Sequence, residues 1–352
     1  MSIFSDVKNA VISRNHFDDE PTRYCSVIIP AHNAEKTIVR TLASLISNRD
    51  YIKEVIIVND RCSDGTVKRA LEFQGTLPLR VVNNRGNHNP GAARYTGLLE
   101  AKSEWITFVD SDDCLTPSCL YYVDDYLDDD VVLLHCQSIY YESGSFEPDS
   151  IGHDDLSCGG NFYRREYLLK HKLFPHPDLK MSEDEYFNQK VDKYIRYCDK
   201  ERPKIEYYDY PVYEVHHDVD EGKSFALSNW VEYVIKYHLL CQQYIIDEFH
   251  TYIQLRNTLV SDYVSVVIFA YFALFALLED DEEEVNVDEQ KGYMRDFIEH
   301  CSEVLRLPED LLVSTYENNP DFVQGIISGV EGSTGISPIT TTVPFRKFIN
   351  SL

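Results

Sequence analysis

The run WITFVDSDD spans residues 105–113 and joins an apolar segment to three carboxylates, those of Asp110, Asp112 and Asp113. A short apolar run of this kind predicts a buried strand. Ligands of open α/β sheets collect at the carboxyl ends of the strands, so these carboxylates would stand where a ligand binds. Clustered carboxylate oxygens suit Mg²⁺ or Mn²⁺, although a simple acidic turn would also account for the nine residues.

The segments on either side of this run alternate between apolar and amphipathic stretches. Strands are predicted at 25–29, 54–58, 79–82, 105–109, 131–136 and 205–215. Helices are predicted after residue 33 and at 91–102, 117–127, 164–172 and 183–194. Strands separated by helices at this spacing are typical of parallel βαβ units. The sequence therefore predicts an α/β fold with helices on both faces of the sheet.

The chain divides into three regions by pattern. Residues 1–23 are polar and weakly patterned, and we expect them to form an N-terminal arm. Residues 24–225 carry the alternation of strands and helices. Residues 226–352 are predicted to be mainly helical, and this C-terminal region is a candidate interface for a homo-oligomer.

Charge and cysteine usage narrow the class of protein. A formal charge of −26 without a long Lys/Arg run argues against nucleic-acid binding, because phosphate backbones would be repelled. The nine cysteines form no Cys-x-x-Cys pair, and the first residues show no basic-then-apolar signal peptide. We therefore expect reduced thiols, no zinc site and a cytoplasmic location, with peripheral contact to a membrane left open.

One apolar stretch, residues 263–278, needs weighing as a membrane segment. It is shorter than the roughly 20 residues that a spanning helix needs. Its flanks are acidic, with Asp262 before it and Glu279 after it, rather than basic. The sequence predicts a buried helix or a subunit interface here, and no transmembrane segment.

Four blocks of the sequence together resemble a known family. They are SVIIPAHN at 26–33, VNDRCSDGT at 58–66, GAAR at 91–94 and VDSDD at 109–113. In this order and spacing they are similar to the GT-A glycosyltransferases of family 2, over about residues 24–225. The resemblance implies a GT-A (Rossmann-like) sheet that binds a nucleotide-diphosphate sugar. It also implies metal-dependent, inverting transfer of the sugar, UDP-linked in the first instance, to a hydroxyl of a glycan or lipid-linked saccharide.

The resemblance also implies which residues bind the donor. The turn after the first strand would contact the nucleobase and ribose, and backbone amides at the start of a helix favour such contacts. Asp60 would accept hydrogen bonds from the base. Arg94 would pair with the diphosphate or with the neighbouring aspartates. The full donor set is Pro30, His32, Asn33, Asp60, Arg94, Asp110 and Ser111.

The implied metal, Mn²⁺ or Mg²⁺, would be bound directly by Asp112, with Asp110 beside it near the donor ribose or sugar. Some GT-A enzymes complete the metal shell with a histidine. Here His216 and His217 are the candidates, of which we assign His217. Adjacent side chains on a strand point to opposite faces, so at most one of the two is a ligand.

The catalytic base is implied by a second acidic block, SEDEYF at 182–187, preceded by a Gly-rich segment at 159–164 that matches the acceptor and sugar-binding loop. Inverting transfer needs a base that takes the proton of the acceptor hydroxyl. On the family pattern Asp184 is that base, and Glu183 orients it or binds the sugar. A helix N-terminus enriched in acid for dipole reasons would give the same block.

Two other functions remain as alternatives. Sugar-nucleotide nucleotidyltransferases share a similar sheet, but they carry a Gly-rich basic loop that residues 30–34 lack. An inactive carbohydrate-binding or scaffold protein could also keep the fold. Such a protein would have no need of its carboxylates, and all those of the blocks above are present.

Overall fold

The computed structural model describes residues 24–141, 148–153, 157–216, 232–278, 286–334 and 344–352. The predicted arm at 1–23 lies outside these ranges. The described residues form one mixed sheet of nine strands, with the order β3-β2-β1-β4-β8-β6-β9-β5 and with β7 paired to β6.

The first half of the sheet is parallel, as the sequence predicts. It consists of β1 (Cys25–Ala31), β2 (Ile52–Asn59), β3 (Leu79–Asn83) and β4 (Trp105–Phe108). The helices between these strands are α1 (Ile38–Ser44), α2 (Thr66–Leu71) and α3 (Pro90–Glu100). Strand β1 is buried along its whole length, which explains why its sequence is continuously apolar rather than alternating.

The second half of the sheet mixes directions. Its strands are β5 (Cys114–Leu115), β6 (Val131–Tyr141), β7 (Ser150–His153), β8 (Phe162–Arg164) and β9 (Lys204–His216). Strand β8 runs antiparallel to both β4 and β6, while β9 runs parallel to β6 and antiparallel to β5. The predicted strands at 131–136 and 205–215 are confirmed. Strands β5, β7 and β8 were not predicted, because two to four residues are too few to show a pattern.

Helices cover both faces of the sheet. Successive strand residues point to opposite faces, so Val27 and Ile29 pack under α1 and α4 (Cys119–Val123), while Ile28 packs under α3. The face shared with α3 also holds α5 (Arg165–His171) and α6 (Glu183–Lys193). This layering brings the N-terminal ends of α3 and α6 to the edge of the sheet where β4 ends.

The C-terminal region is helical, as predicted. Its helices are α7 (His238–Phe249), α8 (Arg256–Leu278), α9 (Val287–Leu305), α10 (Leu311–Asn318), α11 (Pro320–Thr334) and α12 (Phe345–Ile349). They share a separate apolar core, to which α6 contributes Tyr186. The helical region therefore rests on the same helix that carries Glu183 and Asp184.

Helix α8 contains the apolar stretch weighed above. The segment Ile253–Phe275 is the one stretch of the described residues that is long and apolar enough to cross a membrane, and 61% of an apolar 18-residue window within it is buried inside the protein. Tyr263, Val267 and Leu274 lie in the core of the helical region. Most of the apolar surface of the helix is thus covered by other helices.

Gly97 on α3 gives a stability prediction. A Cβ at this position would overlap Cγ2 of Ile28 on β1 and crowd Val58 on β2. We expect Gly97→Ala to lower the free energy of unfolding by about 1–3 kcal/mol, because strand and helix must separate. Urea unfolding measures this change. Gly75→Ala is the control, since nothing lies within 4 Å of its Cβ, and a loss in the control as large as in Gly97→Ala would refute the argument.

Candidate active site

The three carboxylates of the acidic turn after β4 differ in how deeply they are buried. Asp112 is exposed, Asp110 is partly exposed, and Asp113 is buried. The Tyr213 hydroxyl donates to Asp113 at 2.8 Å, and the backbone amide of His216 donates to it at 2.9 Å. The backbone amide of Asp110 donates to the oxygen of the same tyrosine at 3.0 Å. Strand β9 therefore fixes the turn through Asp113 and leaves Asp112 facing solvent.

The electrostatics of this turn fit a cation. Burial raises the pKa of Asp113 well above its usual range, and the neighbouring Asp112 and Asp110 carboxylates raise it further. A divalent cation held by Asp112 and Asp110 would offset this repulsion. Carboxylate oxygens are the donor set that Mg²⁺ and Mn²⁺ prefer. The residues present thus fit the implied metal.

His216 occupies the end of β9, and His217 lies outside the described residues. The His216 ring stacks on Tyr141 at a centroid distance of 5.1 Å, and its Nε2 lies 3.4 Å from a Glu214 oxygen. Cys114, Glu214 and His216 bring their ligand atoms within 4.8 Å of one another. The assignment of His217 as a metal ligand stays a prediction.

Arg94 connects the two acidic blocks. Its guanidinium is buried on α3, donates to Asp110 at 2.6 Å and forms an ion pair with Glu183. Burial opposes the charge of Arg94, but the carboxylates of Asp110 and Glu183 raise its pKa well above the ordinary value. Of the two partners that the sequence leaves open, the structure supplies the carboxylates. Arg94 thereby brings the start of α6 to the turn after β4.

Asp184 lies next to this ion pair and is partly buried. Burial raises its pKa from 3.8 to about 8; the Glu183 carboxylate adds to the rise, and Arg94 opposes it. Asp184 also accepts a hydrogen bond from the Glu185 amide at 2.9 Å. Its carboxylate therefore interacts with the N-terminus of α6 as well. A carboxyl group that titrates near neutral pH can act as a general base.

The residues predicted to bind the nucleobase meet on the other side of the turn. Asp60 is buried at the end of β2, and the His32 Nδ1 lies 2.8 Å from its carbonyl oxygen. Asn84 donates to the Asp60 carboxylate at 2.7 Å. The His88 Nε2 lies 3.0 Å from His32 Nδ1, with the two rings edge to face at 4.4 Å.

Asn33 and Asp64 shape the surrounding loops. Asn33 has a left-handed backbone with φ of 50° and accepts from the Ser63 amide at 2.8 Å. Asp64 accepts from the Thr66 amide at 3.0 Å and from the Glu35 amide at 3.1 Å. Through these contacts Asp64 caps the turn that precedes α2. Pro30 is the next-to-last residue of the buried strand β1, and Ser111 lies in the acidic turn.

Three residues of this region were not predicted from the sequence. Asn84 and His88 lie in the loop between β3 and α3, which carries no periodic pattern. Tyr213 lies 100 residues from Asp113, its partner. The Gly-rich segment supports the same tyrosine, since a Cβ on Gly160, whose φ is 72°, would collide with the Tyr213 side chain. The pair Gly159 and Gly160 is visible in the sequence, but it does not identify Tyr213 as the side chain that packs against it.

Known proteins are similar to this chain in sequence. Poly(ribitol-phosphate) beta-N-acetylglucosaminyltransferase TarS of Staphylococcus aureus is 28% identical over 186 residues, covering 47% of this chain and 32% of TarS. The minor teichoic acid biosynthesis protein GgaA of Bacillus subtilis is 29% identical over 197 residues, covering 49% of this chain and 44% of GgaA. The matches thus span less than half the length of these curated relatives.

Solved structures share the fold. TarS 1-349 of S. aureus in complex with UDP-GlcNAc superposes with a TM-score of 0.50 at 21% identity, covering 88% of this chain and 83% of that one. The mannosyltransferase PcManGT from Pyrobaculum calidifontis, in complex with GDP-Man and Mn²⁺, has a TM-score of 0.50 at 14% identity, covering 94% and 92%. These likenesses show a GT-A-like sheet with the helical region attached.

The family model described as glycosyl transferase family 2 matches residues 26–190. That range contains β1 to β4, the acidic turn and the start of α6, which are the elements that hold Asp60, Arg94, Asp110 and Asp184. The sequence blocks, the sheet and this match agree, and they identify residues 26–190, just under half of the chain, as the part that matches glycosyl transferase family 2.

Proposed function

We propose that this protein is a metal-dependent, inverting glycosyltransferase that uses a nucleotide-diphosphate sugar, most simply a UDP-sugar. The observation that carries the proposal is the bridge from Asp110 through Arg94 to Glu183. It joins the turn suited to a metal and diphosphate to the helix start that bears a carboxyl group of raised pKa. A donor and a general base are thereby brought to one place.

The nucleobase of the donor would bind at the carboxyl ends of β1 and β2. Asn84 donates to one oxygen of the Asp60 carboxylate, and the other oxygen would accept a hydrogen bond from an N–H of the nucleobase. His32 and His88 lie against them, and Asn33 holds the adjacent loop. Ser111 and Asp110 face the position of the ribose and sugar.

Asp112, with Asp110, would hold Mn²⁺ or Mg²⁺. When bound, the metal supplies positive charge that stabilises the diphosphate leaving group. Asp113 holds the turn in place through Tyr213 and His216. The role of Arg94 is then positioning, since both of its terminal nitrogens already contact carboxylates.

Asp184 would take the proton of the acceptor hydroxyl as that oxygen attacks the anomeric carbon. The Glu183 carboxylate is engaged by Arg94, so Asp184 is the carboxylate left to accept a proton from the substrate. Its raised pKa makes it a better proton acceptor than an exposed aspartate. The base and the leaving group would then stand on opposite sides of the reacting carbon, as inversion requires.

The acceptor we propose is a hydroxyl of a glycan or of a lipid-linked saccharide. TarS is named for transfer of N-acetylglucosamine to poly(ribitol-phosphate), and GgaA for minor teichoic acid biosynthesis. Ribitol units carry free hydroxyls, which supports a polyhydroxylated acceptor for this protein. Synthesis from nucleotide sugars would place the enzyme in the cytoplasm.

Donor binding gives the test of this proposal. We expect UDP with Mn²⁺ to raise the thermal unfolding midpoint more than either alone, because ligands that bind only the folded state stabilise it. Thermal-shift assays with UDP-, GDP- and dTDP-sugars, with Mn²⁺ or with EDTA, make the comparison, followed by nucleotide release. Absence of stabilisation by every nucleotide sugar in the presence of Mn²⁺ would refute the proposal.

A further inference from the structure

A cavity of about 620 Å³ lies between the sheet and the C-terminal helices. Its walls come from α6, from β6 and β9, and from α7 and α8. None of the candidate active-site residues is among the described residues that line it. The cavity begins where Asn188 lies, one turn along α6 from Asp184, and extends to Arg196. It is therefore separate from the reaction centre but built on the same helix.

One wall of the cavity is aromatic. The ring of Tyr207 on β9 stacks on His135 of β6, with centroids 5.3 Å apart and an interplanar angle of 25°. Tyr207 is 40% exposed although it lies beside a cavity. Tyr197 and Phe269 add further aromatic side chains to the lining. Exposed faces of such rings are suited to the apolar face of a sugar ring.

Hydroxyl side chains also line the cavity. They belong to Thr258 and Ser265 of α8. The Nε2 of Gln242 on α7 donates to Glu185 at 3.2 Å, and its Oε1 is buried out of reach of a ligand in the cavity. The Nε2 of Gln189 donates to Glu185 at 3.0 Å. The two hydroxyls are therefore the groups of the wall that can exchange hydrogen bonds with a ligand.

The charges in the wall are already paired. Lys193 lies 3.3 Å from Asp262, Arg196 lies 2.7 Å from Asp192, and His238 lies 3.2 Å from Glu185. A phosphate or carboxylate ligand would have to break one of these pairs. The lining therefore favours a neutral ligand that offers hydroxyl donors rather than an anion.

We propose that this cavity is a saccharide-binding site, separate from the active site, for a neutral oligosaccharide. Its volume lies within the usual range for small-molecule sites and would hold roughly two or three sugar rings. Tyr207 would stack on one ring, and the hydroxyls of Thr258 and Ser265 would exchange hydrogen bonds with those of the sugar. Binding there requires no donor, metal or transfer, so it stands apart from the proposed enzymatic function.

Saturation-transfer NMR on the full chain tests this site, with cellobiose, maltose, lactose and N,N′-diacetylchitobiose as probes. UDP and Mn²⁺ are present throughout to occupy the candidate active site. We expect transfer to at least one disaccharide, and about tenfold weaker binding in Tyr207→Ala, since a ring stack contributes up to about 1.5 kcal/mol. Ser265→Phe, which fills the cavity from α8, is expected to abolish binding.

Tyr210→Ala is the matched control. Tyr210 lies on the same strand and is 43% exposed, a fraction similar to that of Tyr207, but it does not line the cavity. The Tyr210→Ala variant should therefore bind the disaccharide as the unaltered protein does. Thermal unfolding midpoints verify that each variant is folded. Three results would overturn the inference: no transfer to any of the four disaccharides, equal binding in Ser265→Phe, or stronger binding of glucose 6-phosphate than of the neutral probes.

Discussion

Asp184→Asn is expected to lower kcat for sugar transfer by about 10²–10⁴-fold, the range that a positioned general base contributes. Asparagine keeps the shape of the side chain but cannot take the proton of the acceptor hydroxyl. Donor binding should persist, because Asp60 and Asp112 are untouched. Product formation and UDP release measure the rate, and thermal shift with UDP and Mn²⁺ measures binding. A variant that transfers sugar at the normal rate would remove Asp184 from the mechanism.

The same residue predicts a pH profile. Burial raises the pKa of Asp184 to about 8, with Glu183 adding to the rise and Arg94 opposing it. A base acts when it is ionised, so kcat should increase with pH up to about 8. In Glu183→Gln a negative neighbour is lost and Arg94 is freed from its partner, and both changes favour the ionised form. The acidic limb of the profile should then move to lower pH.

The raised pKa also has a consequence for stability. Between pH 3.8 and about 8, the folded protein holds a proton on Asp184 that the unfolded chain has released. Stability therefore decreases as pH rises through this window. Asp184→Asn removes this dependence and should unfold at a higher temperature than the unaltered protein near pH 8. Asp296→Asn, at an exposed position on α9, is the control and should show no such change.

Local patterns predicted much of this fold. The edge strand β3 is only half-buried, but the parallel strands β1 and β4 are buried along their whole length and β2 is buried from Glu54 to Val58. The sequences of these three strands therefore contain apolar runs that end near the site. For the same reason Asp60 and Asp110, which directly follow strands, were found from the sequence. Their chemistry and their position in the fold are encoded by adjacent residues.

Contacts between distant parts of the chain could not be predicted. The sequence gives no sign that Tyr213 holds Asp113 or that Arg94 joins Asp110 to Glu183, because each contact depends on how β9, α3 and α6 pack. The short antiparallel strand β8 was missed for a related reason. Its three residues are defined by pairing with β4 and β6 rather than by their own pattern.

Asp112→Asn is expected to abolish the metal-dependent part of donor binding and to lower kcat by about 10²–10³-fold, as loss of one group that stabilises developing charge does. The fold should be unaffected, because the Asp112 side chain is exposed. Its backbone carbonyl is held separately by Arg40 at 2.5 Å. Mn²⁺ titration of UDP release and of the unfolding midpoint measures both effects.

Two comparisons separate a metal ligand from a structural carboxylate. Asp129→Asn changes an exposed aspartate away from the turn and should leave activity and Mn²⁺ dependence as they are. Asp113→Asn, by contrast, alters a buried group bonded to Tyr213 and to the His216 amide, so it should lower the unfolding midpoint even without metal. Asp112→Asn is expected to show the opposite combination, with a normal midpoint in EDTA and no response to Mn²⁺. Near-normal turnover in that variant would exclude Asp112 as the metal ligand, because no neighbouring carboxylate is equally exposed in the turn.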